Sequence, residues 1–322
     1  MKKILIVHTG GTIAMSEDKN TGEVRPTSAN PLALPIDSLQ GVEIKSEDFL
    51  NVPSPHMTID LMMSLAHFID QEVANHHYSG VVVTHGTDTL EETAYLLDLV
   101  LKCTCPVVVT GAMRSSNELG SDGPPNLLSA VRTAMSETAH NKGVLVVLND
   151  EIHTAKNATK THTSNIATFQ SPQYGPIGIV TKRDIHFHHA PIVQEKFHLT
   201  SLTKKVLLIK AVAGMEKEIL EAVCHINMDG LVIEALGQGN MPPETVAPIE
   251  KLVTKGIPVV LVSRCFNGIV QDTYSYDGGG RQLKNIGVIF TNGLNGQKTR
   301  IKLMAALEET SDLLKLQEIF QR

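Results

Sequence analysis

Residues 80–101 read Gly-Val-Val-Val-Thr-His-Gly-Thr-Asp-Thr-Leu-Glu-Glu-Thr-Ala-Tyr-Leu-Leu-Asp-Leu-Val-Leu. A short β-branched run is followed by a polar turn, and then by apolar residues at three-to-four spacing (Leu90, Ala94, Leu97, Leu101). This order predicts a strand over Gly80–His85 and a helix over Leu90–Leu101. A strand that is apolar throughout is buried on both faces, as in a parallel sheet covered by crossover helices. Working outward, the same unit recurs, with strands at Ile4–His8, Pro106–Gly111 and Gly143–Leu148 and helices at Ile59–Asn75 and Asn126–Thr138. Thr58 is placed to cap the Ile59 helix; Asp60 starts an acidic first turn, and Leu61, Leu65 and Phe68 are expected to share one face.

A polar, His-rich stretch over Thr181–Thr203, containing Ala190-Pro191, breaks this pattern and reads as an interdomain connection. A second series follows: strands Val206–Val212, Gly230–Glu234, Ile257–Ser263 and Gly287–Thr291, with helices Glu216–Cys224, Pro243–Lys255 and Gln297–Leu307. The expectation is an α/β protein with a larger N-terminal parallel-sheet domain (1–185), a linker (186–204) and a smaller C-terminal α/β domain (205–322). No fixed-period repeat points to a solenoid.

Composition agrees: 322 residues, at roughly 150 per domain, make about two domains. The chain is 42% hydrophobic and 19% charged, which is globular rather than disordered. A net charge of −6 without a basic run argues against a nucleic-acid or anionic-membrane binder. Four scattered cysteines (Cys103, Cys105, Cys224, Cys265) suit a reducing compartment better than a disulfide scaffold or zinc site. The apolar run after Lys2-Lys3 stops at His8-Thr9-Gly10-Gly11, too soon for a signal peptide, and no segment is long enough to span a membrane. A cytoplasmic location is expected.

Ligands of open parallel sheets bind beyond the carboxyl ends of the strands. Those positions here hold Thr9-Gly10-Gly11-Thr12-Ile13-Ala14, His85-Gly86-Thr87-Asp88-Thr89 and Thr110-Gly111-Ala112-Met113-Arg114, so hydroxyls, a carboxylate and free N–H groups meet on one sheet edge. Gly10-Gly11-Thr12 matches neither the dinucleotide nor the P-loop fingerprint. On turn chemistry alone Thr12 is equally a turn-former, and Thr87 or Asp88 equally a helix N-cap. A threonine nucleophile needs a base, and Lys160, in Ala158-Thr159-Lys160-Thr161-His162-Thr163, stands among small hydroxyl residues; a solvated lysine is the commoner alternative.

Thr9–Ala14, His85–Thr89, Gly111-Ala112-Met113-Arg114, Thr159-Lys160-Thr161 and Tyr174-Gly175-Pro176, in this order over nearly the full length, resemble bacterial-type L-asparaginases. The resemblance implies hydrolysis of L-asparagine to L-aspartate and ammonia, with glutamine a weaker substrate and no metal or organic cofactor. Thr12 would be the nucleophile that forms a β-aspartyl ester, and Lys160 would accept a proton from Thr87 while Asp88 favours its charged form. Asp88 would also bind the α-amino group, Ser54 the α-carboxylate, and backbone around Thr89 and Ala112 the oxyanion and amide. Gly237-Gln238-Gly239-Asn240 resembles the loop that lends an asparagine, Asn240, to a neighbouring subunit, implying a dimer or dimer of dimers.

Three positions depart from the family pattern. Met15–Thr27 resembles the loop that closes over substrate, but Val24 stands where a tyrosine is usual. Tyr274 stands where many members carry a glutamate donated across the interface, and is expected to substitute in part; Pro55 follows Ser54 where a polar residue is common.

His186-Phe187-His188-His189 is assigned to the connection rather than to a metal site, Cys103-Thr104-Cys105 to packing, and Asp277-Gly278-Gly279-Gly280-Arg281 to a turn or flexible loop. The C-terminal helix carrying Leu313, Leu314, Leu316, Ile319 and Phe320 is expected to pack on the second domain or a neighbour. Two alternatives stand beside the hydrolase: an asparaginase-like subunit of a tRNA-dependent amidotransferase, disfavoured by a first strand starting at residue 4 and the lack of a basic patch, and a non-catalytic asparagine-binding regulator.

Overall fold

The computed structural model describes residues 1–18, 21–26 and 41–321. The chain forms two compact units, Met1–Lys196 and Phe197–Arg322. The first contains β1 (Lys2–His8), β2 (Met15–Glu17), β3 (Val24–Pro26), β4 (Val42–Asp48), α1 (Ile59–His76), β5 (Gly80–Thr84), α2 (Leu90–Val100), β6 (Val107–Thr110) and α3 (Gly123–Ala134). It continues with β7 (Val144–Leu148), β8 (Glu151–Thr154), β9 (Thr159–Lys160), β10 (Phe169–Gln170), β11 (Gly178–Val180) and β12 (Ile185–Phe187).

An eight-stranded sheet runs β12-β11-β8-β7-β6-β5-β1-β4. The half from β4 to β7 is parallel, as the apolar runs require. From β1 the chain goes to β4 on one side and then crosses to β5 on the other, so the order reverses between β1 and β5. A crevice opens at such a switch point, at the carboxyl ends of the strands.

The other half is antiparallel, which the sequence reading did not anticipate. The cause is local: β7 and β8 are joined by Asn149 (φ 51°) and Asp150 (φ 60°), and positive φ at both residues of a two-residue turn makes a hairpin. The Lys-Ser-Glu-Asp end of β4 reads as solvated, yet β4 is an edge strand, and none of its residues is fully buried. Ile185–Phe187, within the His-rich stretch, pairs with β11, so His186 lies on a sheet edge.

Ile4, Ile6, Val82, Val108 and Leu145 pack with Leu127, Val131 and Ala134 of α3 on one face of the sheet. Thr58 caps α1 by accepting from the Leu61 N–H (3.3 Å). The buried face of α1 is Met62, Met63, Leu65, Ala66 and Ile69, rotated from the expected stripe; Leu61 and Phe68 are half-buried, and Phe68 lies against Phe49. The α2 N-cap is Thr89, so neither Thr87 nor Asp88 is a capping residue.

The second unit contains β13 (Val206–Lys210), α4 (Lys217–Val223), β14 (Gly230–Ala235), α5 (Val246–Thr254), β15 (Val259–Ser263), α6 (Gly280–Asn285), β16 (Ile289–Phe290), α7 (Gly296–Glu309) and α8 (Leu313–Gln321). Its parallel sheet β13-β14-β15-β16 is covered by α7 on one side, and the core includes Leu220, Ile249, Leu231, Ile233 and Leu261. Gly280-Arg281, expected in a loop, opens α6, with the Gly278 N–H held by the Gln282 side chain (2.7 Å). Leu316 and Phe320 of α8 are buried within this unit.

Candidate active site

The turn after β1 is tied to the end of β5: the Thr9 N–H and hydroxyl both donate to the Thr84 carbonyl (3.1 and 2.8 Å). Gly10 and Gly11 follow with φ of +96° and +83°. A Cβ on Gly11 would lie 2.2 Å from the Gly86 Cα, so the turns after β1 and β5 touch backbone to backbone. Thr12 and Thr87 are the residues that follow these two glycines. Thr12 opens a single 3-10 turn, Thr12–Ala14, with Ile13 and Ala14 buried beneath it and packed with Ala112.

The β5 turn is held from within by His85, which is fully buried. Its Nδ1–H donates to the Gly86 carbonyl (2.7 Å), leaving Nε2 to accept the Thr93 hydroxyl (2.8 Å). Burial pushes its pKa down to about 4, so the imidazole is neutral.

Ser54, in a 3-10 turn before α1, is buried; its Oγ accepts the Asp88 N–H (3.2 Å) and its carbonyl accepts the Thr89 hydroxyl (2.8 Å). Lys160 lies on β9, whose partner is β10. Its Nζ donates to Thr87 Oγ1 (3.0 Å) and to Asp88 Oδ1 (2.7 Å). The Lys160 side chain is 16% exposed against 58% for Asp88, so the amine is tucked in while the carboxylate faces outward. Asp88, Glu91, Lys160, Thr161, His162 and Thr163 line an open cleft of about 380 Å³.

The β6 turn is fixed by two residues the sequence reading missed. The buried Asp122 carboxylate accepts from the N–H groups of Met113 (3.0 Å) and Arg114 (2.9 Å). Asn126 donates to the Gly111 carbonyl (3.0 Å) and accepts from the Asn149 N–H (2.9 Å). These contacts hold Ala112 between two anchored neighbours.

Ser54, Thr87, Asp88 and Lys160 thus form one hydrogen-bonded set, with Thr12 and Ala112 on adjoining turns. Asn240 and Tyr274 belong to the other unit, where both flank the start of α6. The Asn240 side chain accepts the Gly280 N–H (3.1 Å), and the Tyr274 carbonyl accepts the Arg281 N–H (3.0 Å). The Tyr274 ring is 42% exposed, 5.5 Å from that of Tyr276. Val24 is an exposed residue of β3, and Pro55 is exposed beside Ser54. Of the Met15–Thr27 segment, residues 19, 20 and 27 lie outside the described residues.

The same two-unit division appears in comparisons with known proteins. Residues 3–193 match the family model "Asparaginase, N-terminal", and residues 205–320 match "Glutaminase/Asparaginase C-terminal domain". The chain belongs to the asparaginase/glutaminase family. It is 39% identical to a probable L-asparaginase of Deinococcus radiodurans, over 95% of this chain and 93% of that protein. It is 33% identical to L-asparaginase 2 of Escherichia coli, over 100% of this chain and 93% of that one. It is also 31% identical to a subunit of the glutamyl-tRNA(Gln) amidotransferase of Methanobrevibacter smithii, over 97% of this chain and 73% of that protein.

This asparaginase-type amidohydrolase carries an acid-sensitive support beneath its site. The His85 pKa is about 4 when folded against the ordinary 6.5, so between these values the unfolded chain holds a proton that the folded chain does not. His85 therefore contributes stability that is complete above pH 6.5 and is lost as pH falls toward 4. The wild type is expected to lose about 2–3 kcal/mol more than His85→Gln between pH 7 and 4.5, measured by urea denaturation. Equal losses in the two proteins would refute the assignment.

Nothing in the sequence marked Asp122 or Asn126 beyond their place at a helix start, and Glu91 reads as an ordinary acidic residue of a first helical turn.

Proposed function

We propose that the chain hydrolyses L-asparagine to L-aspartate and ammonia through Thr12. The observation that carries this reading is the contact of the Lys160 amine with both the Thr87 hydroxyl and the Asp88 carboxylate, at the sheet edge that bears Thr12. Thr12 Oγ attacks the side-chain amide carbon, and the tetrahedral adduct collapses with loss of ammonia to a β-aspartyl ester. Water then opens the ester, returning the Thr12 hydroxyl and releasing aspartate. Lys160 takes a proton from Thr87 with Asp88 favouring its charged form, and that proton passes on to the departing nitrogen, which leaves as ammonia. Asp88 receives the substrate α-ammonium and Ser54 donates to the α-carboxylate. Backbone N–H groups around Thr89 and Ala112 hold the developing oxyanion, each contributing ~3 kcal/mol as preorganised donors. Glutamine, one methylene longer, is a minor substrate, disfavoured by ~1–3 kcal/mol.

Ammonia release from free asparagine tests the reading. Turnover by the wild type, lost in Thr12→Ala, supports it; Thr12→Ala at wild-type rate refutes the nucleophile. Similarity to the amidotransferase subunit supports one alternative, release of ammonia for a partner in a tRNA-dependent complex. Under that reading free asparagine is turned over only when the partner is present.

The reading also makes the enzyme a homo-oligomer, a dimer or dimer of dimers, in which Asn240 and Tyr274 serve a neighbouring copy's site. Dilution to the point where light scattering reports monomer is expected to abolish activity, and full specific activity there would refute the shared site. A cytoplasmic location is supported by the small number and scattered placement of the four cysteines. No helix among the described residues is long and apolar enough to cross a membrane.

A further inference from the structure

β9 is two residues long, and its ladder with β10 is separate from the eight-stranded sheet. So short a ladder leaves the position of Lys160 relative to the β5 turn undetermined, although its amine must meet Thr87 within hydrogen-bond reach. A third element bridges the gap. Glu91, on the first turn of α2 and three residues after Asp88, is 5% exposed. Its Oε1 accepts the Thr159 hydroxyl (3.0 Å) and the Lys160 main-chain N–H (3.1 Å). Both bonds run to a carboxylate, which makes them stronger than neutral ones, and the carboxylate sits where the helix dipole favours an anion.

We infer that Glu91 is a positioning residue that clamps the backbone of Thr159–Lys160 to α2, and so sets the approach of the Lys160 amine to Thr87. This rests on the proposed hydrolase reading for its effect on turnover, though the clamp itself does not. Asp88 and Thr87 stand on the chain that leads into α2, so one helix start carries both the acceptors of the Lys160 amine and the anchor of the Lys160 backbone. A displacement near 1 Å at a catalytic group lowers rates by up to ~100-fold.

Glu91→Ala is therefore expected to lower kcat for asparagine about 10- to 100-fold, with little change in KM, because the contacts of Ser54 with Asp88 and Thr89 do not pass through Glu91. Glu91→Gln keeps an acceptor oxygen at the same reach and is expected to restore most of kcat. A readout independent of turnover is the rate at which Lys160 is acylated by an amine-specific reagent, followed by peptide mass spectrometry. Acylation should be faster in Glu91→Ala than in the wild type and slow again in Glu91→Gln. A merely structural role would lower the melting temperature without selectively exposing Lys160 over other lysines. Wild-type kcat and labelling in Glu91→Ala, or a Gln variant as impaired as the Ala variant, would overturn the clamp. Should the wild type release no ammonia from asparagine, the hydrolase reading fails by itself, and the labelling rates alone decide the clamp.

Discussion

Lys160→Met is expected to lower kcat for asparagine by two to four orders of magnitude, the range a positioned proton-transfer group supplies (~10²–10⁴-fold). Methionine has nearly the length and volume of lysine without the ammonium, so the cleft keeps its shape while the Thr87 hydroxyl loses its partner at 3.0 Å. Removing one member of a buried ion pair is usually severe, but here the remaining charge belongs to Asp88, which is 58% exposed and can be solvated. Stability should therefore change by no more than ~1 kcal/mol. Loss of turnover with an unchanged denaturation midpoint separates a chemical role from a structural one. A methionine variant that releases ammonia at the wild-type rate would remove Lys160 from the mechanism.

The second large effect lies in the backbone. Gly11 has φ +83° and ψ 179°, a region essentially reserved for glycine. An alanine there would also bring its Cβ to 2.2 Å from the Gly86 Cα and 2.3 Å from the Gly86 nitrogen, which no side-chain rotation can relieve. Backbone strain of ~1–3 kcal/mol and overpacking of ~1–3 kcal/mol add, and the two loops must part. Gly11→Ala is expected to destabilise by several kcal/mol, a large share of the ~5–15 kcal/mol that holds a domain folded. Any folded fraction should have lost up to ~100-fold in kcat, because the turns that carry Thr12 and Thr87 are forced apart. Gly214→Ala is the control: its φ is +70°, but nothing lies within 4 Å of the added Cβ. Its cost should stay near ~1 kcal/mol. Equal denaturation midpoints for the two variants would show that the close approach of Gly11 and Gly86 has no energetic weight.

Much of the architecture was legible in the sequence because it rests on short-range pattern. The continuous apolar runs at Ile4–Val7, Val81–Val83, Val107–Val109 and Val144–Leu148 are strands buried on both faces. Helices lie between them where the apolar spacing placed them, and Thr58 caps α1 as its position suggested. What escaped was either locally ambiguous or settled at a distance. β4 has alternating charges that read equally as a solvated loop, and it is a strand because β1 offers it a free edge. The antiparallel turn of the sheet hangs on positive φ at Asn149 and Asp150, residues that tolerate αL but do not announce it. The rotated face of α1 reflects what packs against it, which the helix's own periodicity cannot specify.

The candidate site divides in the same way. Strand-end position and turn chemistry pointed to Thr12, Thr87, Asp88 and Ala112, the need for a base to Lys160 among small hydroxyl residues, and the resemblance added Ser54, Asn240 and Tyr274. Glu91, Asp122 and Asn126 were invisible, since each acts by accepting from or donating to main-chain groups of another segment, and such partners leave no mark in composition; His85 stood in a quoted strand-end motif, but its bracing of the β5 turn through Gly86 and Thr93 was not legible there.

Adjacent residues alone determined where strands stop and which hydroxyls stand at their carboxyl ends, because side-chain periodicity and turn preference are properties of a few neighbouring positions. Only the tertiary structure decided that Lys160, 73 residues along the chain from Thr87, lays its amine on that hydroxyl. Its place follows from a hairpin, a helix start and a buried carboxylate meeting in space, and no local rule of the chain encodes that meeting.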